Sequence, residues 1–371
     1  MKYDILLKGG RVIDPAQKLH GLRDVGIADG KIAAIESDIP TNRAKQTVFV
    51  TGQYVTPGFI DIHAHVYTGV TTWGIHADSV CTITGVTTVV DAGSPGWATF
   101  PGFREYIAKP ARTQILTYIH ISGIGLVYGP VGEMHELAYA DPGKVADTLM
   151  RNRDITTGVK VRQGKMQVGD NGVEPLKLAI KAAERAGTPV MCHIGAGVPL
   201  PDVLKLMRPG DVITHCFQGR GDNIIDDKGR IIPDAWAARR DGVIFDVGHG
   251  AGSFRYEVAQ RAMEQGFISD VISTDLHTGS INGPVYDLPT TLSKFLDLGL
   301  SLDEVIEKST IAAAKAIQRD DQLGHLKIGT VADVAVLDLL EGEFEYFDTH
   351  GTMVVGKQRL RASLTIREGK L

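Results

Sequence analysis

Two histidines one residue apart, His63 and His65, end the apolar stretch "PGFIDIHAHV". Successive side chains of an extended strand alternate faces, so both imidazoles project together while Ala64 points the other way. Such a pair is a two-pronged grip for a metal ion. Other apolar, β-branched runs carry Lys160 in "GVKVR", His193 in "PVMCHIG", His215 in "VITHCF" and Asp275 in "STDLH". Gathering so many polar groups in a buried place is costly unless they serve a purpose, and imidazole and carboxylate are ligands for divalent cations. Lysine is the exception, because an ammonium has no lone pair to give. If nearby cations depress its pKa, its neutral amine can combine with carbon dioxide. The resulting carbamate is anionic and has two oxygens with which to bridge two metals. Val159 and Val161 face away from Lys160, which suits a lysine aimed inward.

These side chains need a frame that brings distant residues to one place. Eight buried-strand candidates occur at 58–65, 87–93, 114–123, 157–162, 188–195, 211–217, 242–250 and 270–277. Helical patterns follow or separate them, most clearly at 174–187, 253–266 and 301–317. This alternation predicts an α/β protein with a (β/α)8 TIM-type barrel, whose active site lies at the carboxyl ends of the strands. A doubly wound open sheet is the competing arrangement, but no GxGxxG motif opens a helix. Short strand-like runs with Gly-Gly and Asp-Gly turns occupy both ends of the chain. They predict a small β-sandwich domain from residues 1–53 and 331–371, flanking a barrel over 54–330.

The 371 residues carry a formal charge of -5 with scattered basic residues, so nothing suggests a nucleic-acid partner or a membrane surface. No segment has the length of a membrane span and the first residues lack a signal-peptide pattern, so a cytoplasmic protein is expected. Cys81, Cys192 and Cys216 show no CxxC spacing. By strand parity, Cys192 and Cys216 face away from the neighbouring histidines, into the core.

The ordered set of "PGFIDIHAH", "GVKVR", the histidines at 193 and 215 and "STDLH" resembles the binuclear metal-dependent amidohydrolase superfamily, in its dihydroorotase-like and deacetylase-like branch. The terminal "DILLKGGRVID" and "IGTVADVAVLD" segments extend that resemblance over nearly the whole chain. It implies two divalent ions, usually zinc. One would be held by His63, His65 and Asp275 and the other by His193 and His215, with carboxylated Lys160 and a hydroxide between them. Asp275 would move the proton during hydrolysis of an amide or ester in a small acylated carboxylate substrate, as in deacetylases. A cyclic amidase of hydantoinase or dihydroorotase type is the alternative. Dihydroorotases typically carry an arginine two residues after the second histidine, where this chain has Tyr67. A non-catalytic scaffold is a third possibility, weakened because no ligand is missing.

Arg162 shares a face with Lys160 and could grip a substrate carboxylate, or could instead pair with an acid such as Asp91. His249 in "DVGHG" could bond a substrate oxygen or could merely stabilise a turn. His277 is placed to support Asp275, and His120 and Asp91 to lie behind the ligands. A homo-oligomer is compatible with a barrel of this size.

Overall fold

The computed structural model describes residues 2–371 and contains two seven-stranded sheets. The first is mixed and drawn from both ends of the chain: β1 (Tyr3–Asp14), β2 (Leu19–Ala28), β3 (Lys31–Glu36), β4 (Ala44–Phe49) and β5 (Tyr54–Pro57). The second is parallel: β6 (Phe59–Ala64), β7 (Val86–Asp91), β8 (Gln114–His120), β9 (Thr156–Gln163), β10 (Val190–Ile194), β11 (Val212–Thr214) and β12 (Ile244–Asp246). The closing hairpin, β13 (Val334–Phe347) and β14 (Met353–Ile366), returns to the first sheet.

In the terminal sheet the order is β14-β13-β5-β1-β2-β3, with β4 also on β1. The strands from both ends of the chain thus belong to one hydrogen-bonded sheet. Tyr54–Pro57 pairs with β1 and β13, so the last strand before the parallel sheet is stitched between the two ends of the chain.

The parallel sheet runs in sequence order from β6 to β12, and nearly all residues of its strands are buried. Burial on both faces explains their near-continuous apolar runs. Helices such as Glu174–Ala186 cover one face, where Leu176, Ala179 and Ala183 pack with Val159, Val161 and Cys192. Cys216 lies in that same outer core. Ile60, Ile62, Val90, Tyr118, Met191 and Val212 form a second core on the inner face, joined by Ala313 and Ile317 from the end of the chain's last helical segment.

The eighth expected strand, 270–277, is not a regular strand. It meets the two edges of the sheet through isolated bridges, Asp246 with Val271 and Ala64 with Leu276. Side chains capture the backbone donors that a ladder would use. The N–H of Thr274 donates to Asp61 Oδ1 at 3.1 Å and that of Leu276 to Thr274 Oγ1 at 3.0 Å. The helix expected over 301–317 is two helices, Leu302–Ser309 and Ile311–Ala316, broken at Thr310. Ser309 and Thr310 both donate their hydroxyls to carbonyls one turn back, which bends or breaks helices. No helix among the described residues is long and apolar enough to cross a membrane.

Candidate metal centre

Simple alternation does not by itself turn the two leading histidines inward. Ile60 and Ile62 belong to the inner core, so a regular strand would send His63 outward. Between Asp61 and Ala64 the register of β6 slips against Val89 and Asp91, with three steps opposing two. This bulge adds the extra residue that sends Ala64 to the outer core and leaves His63 and His65 facing in.

Inside, His63 Nε2 and His65 Nε2 lie 3.3 and 3.2 Å from Asp275 Oδ1. The three offer ligand atoms within 4.8 Å of one another. Lys160 Nζ, from β9, is 3.4 Å from His63 Nε2. The rings of His193 and His215 pack edge to face at 4.4 Å, and the His215 ring is 5.1 Å from that of His63. All six side chains therefore converge at the carboxyl ends of the strands. Both His215 and Asp275 have left-handed backbone, with φ of 71° and 49°. Such conformations are uncommon for non-glycine residues and mark strain that the surroundings must hold.

Those surroundings have a pattern. His63 Nδ1 bonds Thr214 Oγ1 at 2.8 Å, His65 Nδ1 bonds Ser94 Oγ at 2.9 Å, and His215 Nδ1 donates to the Gly248 carbonyl at 2.6 Å. His193 makes no side-chain hydrogen bond through its ring nitrogens among the described residues. Two glycines make room. A Cβ on Gly93, whose φ is +80°, would stand 2.4 Å from Lys160 Cβ, and one on Gly250 would stand 2.3 Å from Asp275 Oδ2.

Burial sets the protonation of the cluster. It pushes Lys160 down to about 8, partly opposed by Asp275, and it drives His63 and His193 well below the usual histidine range. His215 falls to about 4 for the same reason. Burial alone would raise Asp275, but its close contacts with His63 and His65 hold it well below the usual carboxylate value. His63, His193 and His215 thus favour the neutral form and Asp275 the ionised one, the forms that bind cations.

The other candidate residues sit around this centre. Arg162 is buried and paired with Glu133 rather than Asp91: Nε and one Nη donate to Glu133 at 2.8 and 2.6 Å. Its guanidinium also lies over the Trp73 ring, 5.0 Å from the centroid. Asp91 instead accepts the backbone N–H groups of Val66 and Ser94, bracing the segments behind His65. His120 reaches toward Glu133, with Nε2 3.3 Å from Oε1. His277 stands beside His65 and Trp73, at ring separations of 6.3 and 6.0 Å. His249 is fully buried, stacked on Phe254 and bonded through Nε2 to Lys294 Nζ at 2.7 Å. Lys294 also donates to the carbonyls of Pro284 and Phe347, which ties this wall to the terminal hairpin. Tyr67 is turned away, its hydroxyl donating to the Thr99 carbonyl and its ring against Phe103. Glu133, Trp73 and Lys294 had no sequence signal, since each lies in a loop or helix without a motif around it, and Thr214, at the end of β11, was hidden beside His215.

A deacetylase from Enterococcus faecalis is 36% identical over 377 residues, covering 100% of this chain and 99% of its own. The chain belongs to the amidohydrolase family. The family profile itself, described as Amidohydrolase family, matches residues 255–371. Deacetylase Atu3266 of Agrobacterium fabrum is 38% identical over 87% of this chain and 80% of the relative. Among solved structures, one described as an adenine deaminase superposes with a TM-score of 0.93 at 35% identity, covering 99% of both chains. Another, described as a dihydroorotase, gives 0.91 at 34% identity over 99% of this chain and 98% of that one. This amidohydrolase is therefore an enzyme, a hydrolase, with a His-His-Asp group suited to a metal ion at its centre.

Proposed function

We propose that this amidohydrolase is a metal-dependent deacetylase, cutting the amide or ester bond of a small acylated carboxylate. The observation that carries the reading is the meeting of six donor side chains at one strand-end mouth, in a chain similar to deacetylases along nearly its whole length. Residues 271–276 are read as the eighth stave, which closes the barrel around that mouth.

The donor set fits two divalent ions, zinc being well suited to nitrogen and oxygen ligands. His63, His65 and His215 each commit Nδ1 to the protein, which leaves Nε2 for a cation. His63, His65 and Asp275 would hold one ion and His193 and His215 the other. Burial lowers Lys160 to about 8, which brings its neutral amine within easier reach, and its carbamate would complete both sites. When bound, such ions acidify water and polarise an acyl carbonyl.

The chain's own groups supply the rest. Asp275, with 13% of its side chain exposed against 1% for His63, is open to incoming substrate. Its carboxylate accepts a proton from attacking water and returns it to the departing nitrogen or oxygen. Arg162 keeps the terminal nitrogen that Glu133 does not hold, available to a substrate carboxylate. Tyr67 leaves no guanidinium where dihydroorotases carry one, which favours linear substrates over ring amides. Free, buried cysteines suit a cytoplasmic setting.

Metal analysis and a substrate panel test this. The expected result is about two divalent ions per chain and turnover of linear N-acetyl or O-acetyl acids that a chelator abolishes. Turnover confined to hydantoins or dihydroorotate would reassign the enzyme as a cyclic amidase. A folded protein without metal or turnover would mark a scaffold.

A further inference from the structure

Asp246 is fully buried at the end of β12, and the hydrolytic chemistry above has no use for it. An acid is costly to keep there unless its oxygens are hydrogen-bonded. Its surroundings show what it holds. Oδ2 accepts the hydroxyl of Thr214 at 2.8 Å and that of Ser273 at 2.8 Å. Thr214 Oγ1, having given its one proton to Asp246, can only accept from His63 Nδ1, 2.8 Å away on its other side.

We propose that Thr214 and Asp246 are positioning residues that fix His63 in the single tautomer able to bind a cation, through the chain His63 Nδ1–H to Thr214 Oγ1–H to Asp246 Oδ2. The donor order leaves the His63 Nε2 lone pair aimed at Asp275 and Lys160. A reversed chain would put a proton on Nε2 and close the site. Gly248 seals the arrangement. A Cβ there would lie 2.2 Å from Thr214 Oγ1, 2.9 Å from His215 Nδ1 and 3.0 Å from His63 Nδ1, so only glycine packs against all three. The N–H of Gly248 donates to Ser273 Oγ at 3.2 Å, and its carbonyl takes the Nδ1 proton of His215. The segment from Asp246 to Gly248 thereby sets the imidazoles of both predicted metal positions from behind.

This inference rests on the metal centre proposed above, and one experiment separates the two. Zn2+ affinity is measured by competition with a chromophoric chelator for the wild type, Thr214→Val and Thr214→Ser, with thermal melting of the metal-free proteins alongside. Valine keeps the shape and loses the hydroxyl, so affinity should fall by about 10–100-fold. Serine keeps the hydroxyl and should bind nearly as the wild type does. Wild-type affinity in Thr214→Val, or equal losses in the serine and valine variants, overturns the relay. If the wild type itself binds no Zn2+, the metal centre fails instead. Should Thr214→Val not fold, Asp246→Asn decides the matter. Its amide N–H can donate to Thr214 and reverse the chain, so affinity should fall, and unchanged affinity overturns the proposal.

Discussion

The two ends of the parallel strands use charge in opposite ways. At the carboxyl ends, ionisable groups are buried, close-packed and braced by neutral hydroxyls and carbonyls. At the amino ends lies a cavity of about 600 Å³, lined by residues including Arg104, Ile115, Ile155, Arg367 and Leu371, with none of the six donor residues. Two bidentate ion pairs make the contrast concrete. Arg162–Glu133 at the mouth has side chains 8% and 4% exposed, whereas Arg104–Asp154 beside the cavity has 36% and 63%. Volume alone does not make a reactive site. Dry surroundings do, because charge interactions that water would screen become strong enough there to fix protonation and geometry.

Substitutions at the two ends should therefore differ in size by orders of magnitude. Asp275→Asn removes the proton carrier and should lower kcat by about 10²–10⁴-fold, with a native circular dichroism spectrum. Unimpaired turnover would remove Asp275 from that role. Lys160→Ala should weaken metal retention by about 10–100-fold in chelator competition. Partial recovery on adding a short carboxylic acid would support the carbamate, and full metal content without it would make the lysine a bystander. Glu133→Gln leaves the buried Arg162 without its counter-charge and should cost about 3–5 kcal/mol in denaturant unfolding. At the far end, Arg104→Ala should cost only about 0.2–1 kcal/mol and leave kcat unchanged, because its partner is in water. A large rate effect there would show that the two ends communicate and would undo the contrast.

Much of this was legible in the sequence, for reasons that are local. Strands buried on both faces write continuous β-branched runs, so seven of the eight expected strands appear as such, and the polar residues ending those runs are the ones that converge. Family resemblance supplied the expectation that the donors pair with two metals. Long-range partners were not legible. Arg162 was open between a substrate and Asp91 because its true partner, Glu133, comes from a loop with no periodicity. His249 reads as a mouth residue in "DVGHG", yet it is held inward by Lys294 from the helix Leu288–Asp297.

The chain by itself determined which residues could carry the chemistry, since side-chain type and strand-end position are written in order along it. The tertiary structure decided how they face one another. A bulge in β6 turned His63 inward, side-chain capture of backbone donors replaced the last strand, and Gly93, Gly248 and Gly250 gave the crowded side chains their space. Each of those outcomes depends on atoms brought together from separate parts of the chain or on a slip of one position, and neither leaves a period in the sequence to read.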